Sequence, residues 1–158
     1  MSESSPTAPS DLAPPLTPIG WREWVALPGL RVGALKAKID SGAFTSSLHA
    51  VDIERFEKGG EQWVRFTLQI RPGSTRSTKP RVARLHDVRK VTSSNGESEE
   101  RPVIQTTLVI AGRAFLTEFT LTARAGMRYR MLVGRRSLAG RFLVDSGASF
   151  LGGKPSRP

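Results

Sequence analysis

Apolar side chains in this chain recur at every second position over short runs, and each run is stopped by a turn rich in glycine or proline. The clearest run is Leu35-Lys36-Ala37-Lys38-Ile39, where aliphatic residues alternate with lysines. A period of two puts the aliphatics on one face and the lysines on the other, the pattern of a strand with one buried and one wet face. No sustained helical period and no internal repeat competes with it. Further strands are expected over Ile19–Leu27, Arg31–Ile39, Gln62–Ile70 and, with imperfect alternation, Arg81–Val91. Thr45–Phe56 reads as a strand passing into a short irregular piece. Pro102–Ala111 and Arg113–Thr122, flanking Gly112, give the strongest hairpin signal. Met131–Val133, a brief helix over Arg136–Ala139 and a strand over Phe142–Val144 complete the series. Many short strands with turn signals between them predict a mostly β, closed, barrel-like domain with one short helix.

The ends read differently. Residues 1–18 are rich in Ser, Pro and Thr and hold too little apolar surface to offset the entropy of ordering, so a disordered tail is expected there. The domain is expected over residues 19–151, and 152–158 reads as a flexible tail. No apolar run is long enough to span a membrane as a helix, and no basic-then-apolar leader opens the chain, so a cytoplasmic location is the default expectation. With no cysteines, disulfides and cysteine-based zinc sites are excluded. A formal net charge of +10 points to an acidic partner.

The run at 35–39 ends in Asp40-Ser41-Gly42-Ala43. A carboxylate at a strand end, a hydroxyl residue and a glycine turn are how an aspartic peptidase carries its catalytic acid, though Asp-Ser-Gly is also an ordinary turn sequence. Asp40 gains weight from Met131-Leu132-Val133-Gly134-Arg135 followed by a short helix, a pattern similar to the second signature of retropepsin-like peptidases. There glycine lets the segment pass close to the catalytic turn. A second Asp-Ser-Gly-Ala, at Asp145–Ala148, lies too near the end of the chain to open another lobe and reads as a structural acid at a strand end. The two histidines, His49 and His86, are far apart and form no His-Glu-x-x-His pattern, and no phosphate-binding Gly-x-x-x-x-Gly-Lys-Ser/Thr loop is present.

The flanks widen the resemblance. Gly20-Trp21-Arg22-Glu23-Trp24-Val25-Ala26-Leu27-Pro28, Leu48-His49-Ala50, Glu100-Arg101-Pro102-Val103-Ile104, Leu121-Thr122 and Phe142-Leu143-Val144-Asp145 are similar to one bacterial family. That family is named for an ATP-dependent zinc protease and is grouped with retropepsin-like aspartic peptidases. The resemblance runs from about Ile19 to Leu151. It implies a single-lobed retropepsin-like closed β-barrel with one catalytic aspartate per chain. The residues themselves support neither the zinc nor the ATP of the family name, so no cofactor is expected.

The resemblance implies a homodimer, with two copies of Asp40 making one site at the two-fold axis. Ser41 would orient its own turn and the partner's, Gly42 and Ala43 would allow close approach, Gly134 would pass beside the turn, and Arg135 would make a structural ion pair. Arg81–Glu100 falls where such enzymes carry the flap that closes over bound peptide. Arg81, Arg84 and Arg89 on it, with Phe44 beside the turn, are candidate substrate contacts. The family usually has arginine where this chain has Phe44, and threonine is commoner than Ser41. The reading is an aspartic endopeptidase acting on a peptide or protein substrate. Basic residues at Arg71–Lys90 and Arg124–Arg141, and the family's link with a ligase that adds glutamates to a ribosomal protein, suggest an acidic substrate. The alternative is a non-catalytic module of the same fold that holds an acidic protein. One tyrosine and no recognisable basic-aromatic RNA motif argue against nucleic acid.

Overall fold

In the computed structural model, which describes residues 15–69, 79–92, 95–123 and 126–155, the alternating runs are strands. They are β1 (Thr17–Leu27), β2 (Val32–Ile39), β3 (Ser46–Lys58), β4 (Glu61–Leu68) and β5 (Pro80–Arg84), then β6 (Asp87–Thr92), β7 (Ser98–Ile110), β8 (Arg113–Thr122), β9 (Met131–Val133) and β10 (Phe142–Ser149). A short 3-10 helix, Pro28–Leu30, joins β1 to β2, and one α-helix, α1 (Arg135–Leu138), follows β9. In β2, Leu35, Ala37 and Ile39 are buried while Lys36 and Lys38 are exposed, as the alternation requires.

Six strands close a mixed barrel. Neighbours run β1-β2-β9-β3-β8-β7, and β7 returns to β1 through Val25 opposite Ile110 and Ala26 opposite Val109. The β2–β9 and β3–β8 pairs are parallel and the other pairs of the ring are antiparallel. Closure leaves these strands no open edge. The barrel is filled by aliphatic and aromatic side chains, among them Val25, Leu48, Ile104, Leu108, Phe119, Leu121 and Met131, all essentially inaccessible to solvent. Strand β10 extends the sheet from the first half of β1, β6 lies on the first half of β7, and β4 and β5 continue from the second half of β3.

This order positions the site. Because β9 lies between β2 and β3, the connection from Ile39 to Ser46 must cross the end of β9. The expected catalytic turn therefore sits on the strand end that carries Gly134.

Several expectations change in detail. The irregular piece after Thr45 is a bulge within one long strand, β3, where Asp52 takes a positive φ of 51° and the register with β4 shifts. Arg81–Glu100 is not a single flap hairpin. The chain changes partners at Leu85-His86, so β5 pairs with β4 while β6 pairs with β7. The Leu85 N–H donates to the Gln62 carbonyl at 2.9 Å and the His86 N–H to the Val103 carbonyl at 2.8 Å, which fixes that exchange. Residues 70–78, with Arg71 and Arg76 of the expected basic loop, lie outside the described residues, as do Ser93, Ser94 and Arg124. So do residues 1–14 of the expected N-terminal tail, whereas Thr17 and Pro18 already pair with β10.

Asp145 is not at a strand end but inside β10, exposed, at the place where the register with β1 shifts. Its Oδ1 accepts the Gly147 N–H at 3.0 Å, a local turn within the strand. Nor is the chain loose at Gly152. Glu23, fully buried on β1, accepts the N–H groups of Gly20 (2.6 Å) and Leu151 (2.9 Å) on Oε2 and that of Gly152 (2.9 Å) on Oε1. A buried carboxylate is tolerated where backbone donors surround it, and this one ties the chain after β10 to β1.

Candidate active site

Asp40 follows the last residue of β2, and its N–H donates to the Val133 carbonyl at 2.9 Å, prolonging the parallel β2–β9 pairing by one step. The chain then folds back on itself. The Ala43 N–H donates to the Asp40 carbonyl at 3.2 Å, and the Gly42 N–H to the Asp40 Oδ1 at 3.0 Å. That side-chain hydrogen bond two residues on is the Asx arrangement that Asp-x-Gly favours. It leaves Asp40 half-buried, with Ser41 and Gly42 exposed beside it.

Gly134 holds the turn from below. A Cβ at this position would lie 2.5 Å from the Thr45 carbonyl carbon and oxygen and 2.9 Å from the Ala43 oxygen, so only glycine permits this approach. The next two N–H groups clamp the connection: Arg135 to the Ala43 carbonyl at 2.7 Å, Arg136 to the Phe44 carbonyl at 3.0 Å. Gly134 itself donates to the Ser46 Oγ at 2.9 Å. The Ser46 and Thr117 hydroxyls each lie 2.7 Å from the Ser137 Oγ, forming a buried chain of hydroxyls between β3, α1 and β8. Sequence reasoning missed this chain; the available signal was Ser46-Ser47 placed directly before the apolar Leu48 at the start of a strand.

Asp40, Ser41, Gly42, Ala43, Phe44, Gly134 and Arg135 are thus brought together. Arg135 and Phe44 meet in an unexpected way. Phe44 is 57% exposed, and the guanidinium carbons of Arg135 and Arg136 stand 5.6 and 5.5 Å from its ring centroid. Arg135 rests on an aromatic face, and among the described residues it makes no ion pair. Arg136 also lies 3.5 Å from Glu118 on β8.

Glu118, another residue the sequence reading overlooked, gathers charges from several elements. Its Oε1 accepts from Arg89 at 2.6 Å, and its Oε2 is 3.0 Å from His86 Nε2. Burial alone would push its carboxyl up, but the hydrogen bond and charge of Arg89, with His86 and Arg136, outweigh this and hold it below the usual carboxylate range. The Arg89 guanidinium is correspondingly raised, first by its hydrogen bond to Glu118. Arg89 is therefore linked to the Asp40 turn through Glu118, Arg136 and Phe44. Arg81 and Arg84 are placed elsewhere. Arg81 donates to the Leu30 carbonyl at 2.6 Å and also to the Lys79 carbonyl, and burial followed by the charge of Arg31 lowers its pKa. Arg84 pairs with Glu61 across the β4–β5 hairpin.

The Glu118 cluster carries a pH prediction. A carboxyl lowered in the folded state and ordinary in the unfolded one contributes stability that is complete above the ordinary glutamate range and disappears as pH falls through the lowered value. Urea unfolding of wild type and Glu118→Gln from neutral pH downward is expected to show a stability gap that narrows on acidification. A gap independent of pH would contradict the cluster.

His49 is buried against Gln69 Oε1 at 3.1 Å, His86 is engaged by Glu118, and no group of three or more His, Asp or Glu among the described residues could hold a metal ion. No helix among the described residues is long and apolar enough to cross a membrane.

Comparison with known proteins agrees with this fold. A crystal structure of Lpg0085, a Legionella pneumophila protein of unknown function (DUF785), superposes with a TM-score of 0.71 at 28% identity, covering 86% of this chain and 98% of that one. Two curated relatives are named probable alpha-L-glutamate ligase. The Shewanella pealeana protein is 46% identical over 132 residues, which is 84% of this chain and 29% of the relative. The Desulfotalea psychrophila protein is 42% identical over 129 residues, 80% of this chain and 27% of the relative. The chain thus spans under a third of the length of these relatives. A family model described as retropepsin-like aspartic endopeptidase RimB matches residues 18–155, and the chain belongs to this RimB-like family.

Proposed function

We propose that this chain is an aspartic endopeptidase whose site forms from Asp40 of two copies. The observation that carries the reading is the Asp40 turn. It is a strand-end carboxylate with an Asx bond to Gly42, clamped onto Gly134 and open on its Ser41-Gly42 side. One such turn per chain supplies one carboxylate, and hydrolysis by this chemistry needs two. Two carboxylates in contact cannot both ionise, so the pair holds one proton. The unprotonated member takes a proton from water as its oxygen attacks the peptide carbonyl carbon. The protonated member gives its proton to the carbonyl oxygen. Collapse of the resulting diol breaks the C–N bond, and a proton passes to the departing amine. The positive charge of the chain and the glutamate ligase names of its relatives support an acidic, glutamate-containing substrate. The same features support a second reading, a module that holds an acidic protein without cutting it.

Asp40→Asn separates the two. Peptide cleavage is expected to fall by at least about 10³-fold in kcat/KM while the fold is retained. Cleavage within about tenfold of wild type would remove Asp40 from the chemistry.

A further inference from the structure

A second surface, on the β1–β2 side of the barrel, is built from cations laid on aromatic rings. The Arg22 guanidinium lies 4.7 Å from the Trp21 ring centroid and 4.9 Å from that of Phe150. Lys154 and Lys36 approach Trp24 at 4.5 and 5.2 Å, and Arg128 approaches Tyr129 at 5.6 Å. Together with Arg31 these cations border a groove of about 1480 Å³ whose apolar wall includes Ala34, Val109 and Ala111. No carboxylate is among the residues lining it. Six arginines outside the groove are paired: Arg55, Arg65, Arg84, Arg89, Arg101 and Arg136 each lie within 4.0 Å of a carboxylate. Among the described residues, none of the cations around the groove is in an ion pair. The groove therefore gathers five cations, Arg22, Arg31, Lys36, Arg128 and Lys154, with no carboxylate in its lining, and such a concentration of positive charge attracts anions.

We propose that this groove docks an extended acidic polypeptide segment, at a site separate from the Asp40 turn. The rings hold the cations in place, so little side-chain freedom is lost when carboxylates arrive. Lys36 and Lys38 project from the exposed face of β2 two residues apart, roughly 6.6 Å, the repeat of alternate side chains in an extended peptide. The apolar wall suits the methylenes and backbone of such a segment. Single-stranded nucleic acid would need open ring faces for its bases. Here Trp21, Trp24 and Phe150 already carry the protein's own cations. Along β2 the groove residue Lys36 is about 13 Å from Asp40, so a docked segment would lie near the turn without occupying it.

The test is direct binding, read in the Asp40→Asn protein so that cleavage plays no part and failure of the peptidase reading leaves it untouched. The probe is a fluorescent peptide of alternating glutamate and alanine, about a dozen residues long. Lys36→Gln, Arg128→Gln and Lys154→Gln are combined, since all three residues are exposed, and Arg22 is kept because it bonds Ser149 and Tyr129. Near-ultraviolet circular dichroism establishes that the variant is folded. The expected result is binding that weakens with salt and is reduced about tenfold in the triple variant. Unchanged affinity in the folded variant would overturn the proposal. So would displacement of the peptide by oligouridylate at lower concentrations than by the unlabelled peptide itself.

Discussion

Gly134→Ala is expected to cost about 3 kcal/mol of stability and to abolish any activity that depends on the Asp40 turn. The added methyl carbon would stand 2.5 Å from the Thr45 carbonyl carbon and oxygen and 2.9 Å from the Ala43 oxygen. These are backbone atoms, so no side-chain rotation relieves the clash, and β9 or the turn must move. Movement would also break the bonds that run from Gly134 to Ser46 and from Arg135 to Ala43, at 2.9 and 2.7 Å. Gly33→Ala is the control, because nothing lies within 4 Å of its Cβ position. It is expected to change stability by less than about 0.5 kcal/mol. Urea unfolding of the two variants beside wild type measures the contrast, and equal stabilities would contradict the close approach of β9 to the turn.

Glu23→Ala is expected to be comparably damaging, by about 4 kcal/mol. It would strand the buried N–H of Gly20, which costs roughly 1–3 kcal/mol when left without an acceptor, and the part-buried N–H groups of Leu151 and Gly152. Glu23→Gln should fall between, since one of its two ends still accepts and the other turns an NH₂ toward backbone donors. Hydrogen exchange offers a local readout. The Leu151 and Gly152 amides should lose protection in Glu23→Gln before the strands of the barrel do. Unchanged protection there would mean that Glu23 does not anchor the chain after β10.

How much of this could be read from the residues varies with the range of the interaction. The alternation in Leu35–Ile39 and the hairpin across Gly112 are local, and both stand in the structure with the faces expected. Asp40 and Gly134 were legible as two motifs because each needs a particular residue type at one backbone position. The strand order was harder to see. Parallel pairs such as β2–β9 join segments that no short turn connects, so nothing local records their register. Glu23 shows the same limit. Its donors Leu151 and Gly152 lie 128 and 129 positions away, and within Trp-Arg-Glu-Trp the residue reads as one more surface charge. The supposed flap failed for a different reason. Leu85-His86 interrupts the alternation only slightly, yet at that point the chain leaves β4 for β7. Asp145 repeats the Asp40 tetrapeptide and even its Asx bond at 3.0 Å, but it lies at a bulge in an exposed strand with no β9-like segment beneath it.

The most direct measurement is the separation of the two Asp40 carboxylates in a crystal structure of the assembled protein. The account predicts a two-fold dimer in which they face each other within hydrogen-bond reach, about 2.5–3.0 Å between oxygens. A dimer that holds them far apart, or buries another surface and leaves both Asp40 turns facing solvent, would contradict it.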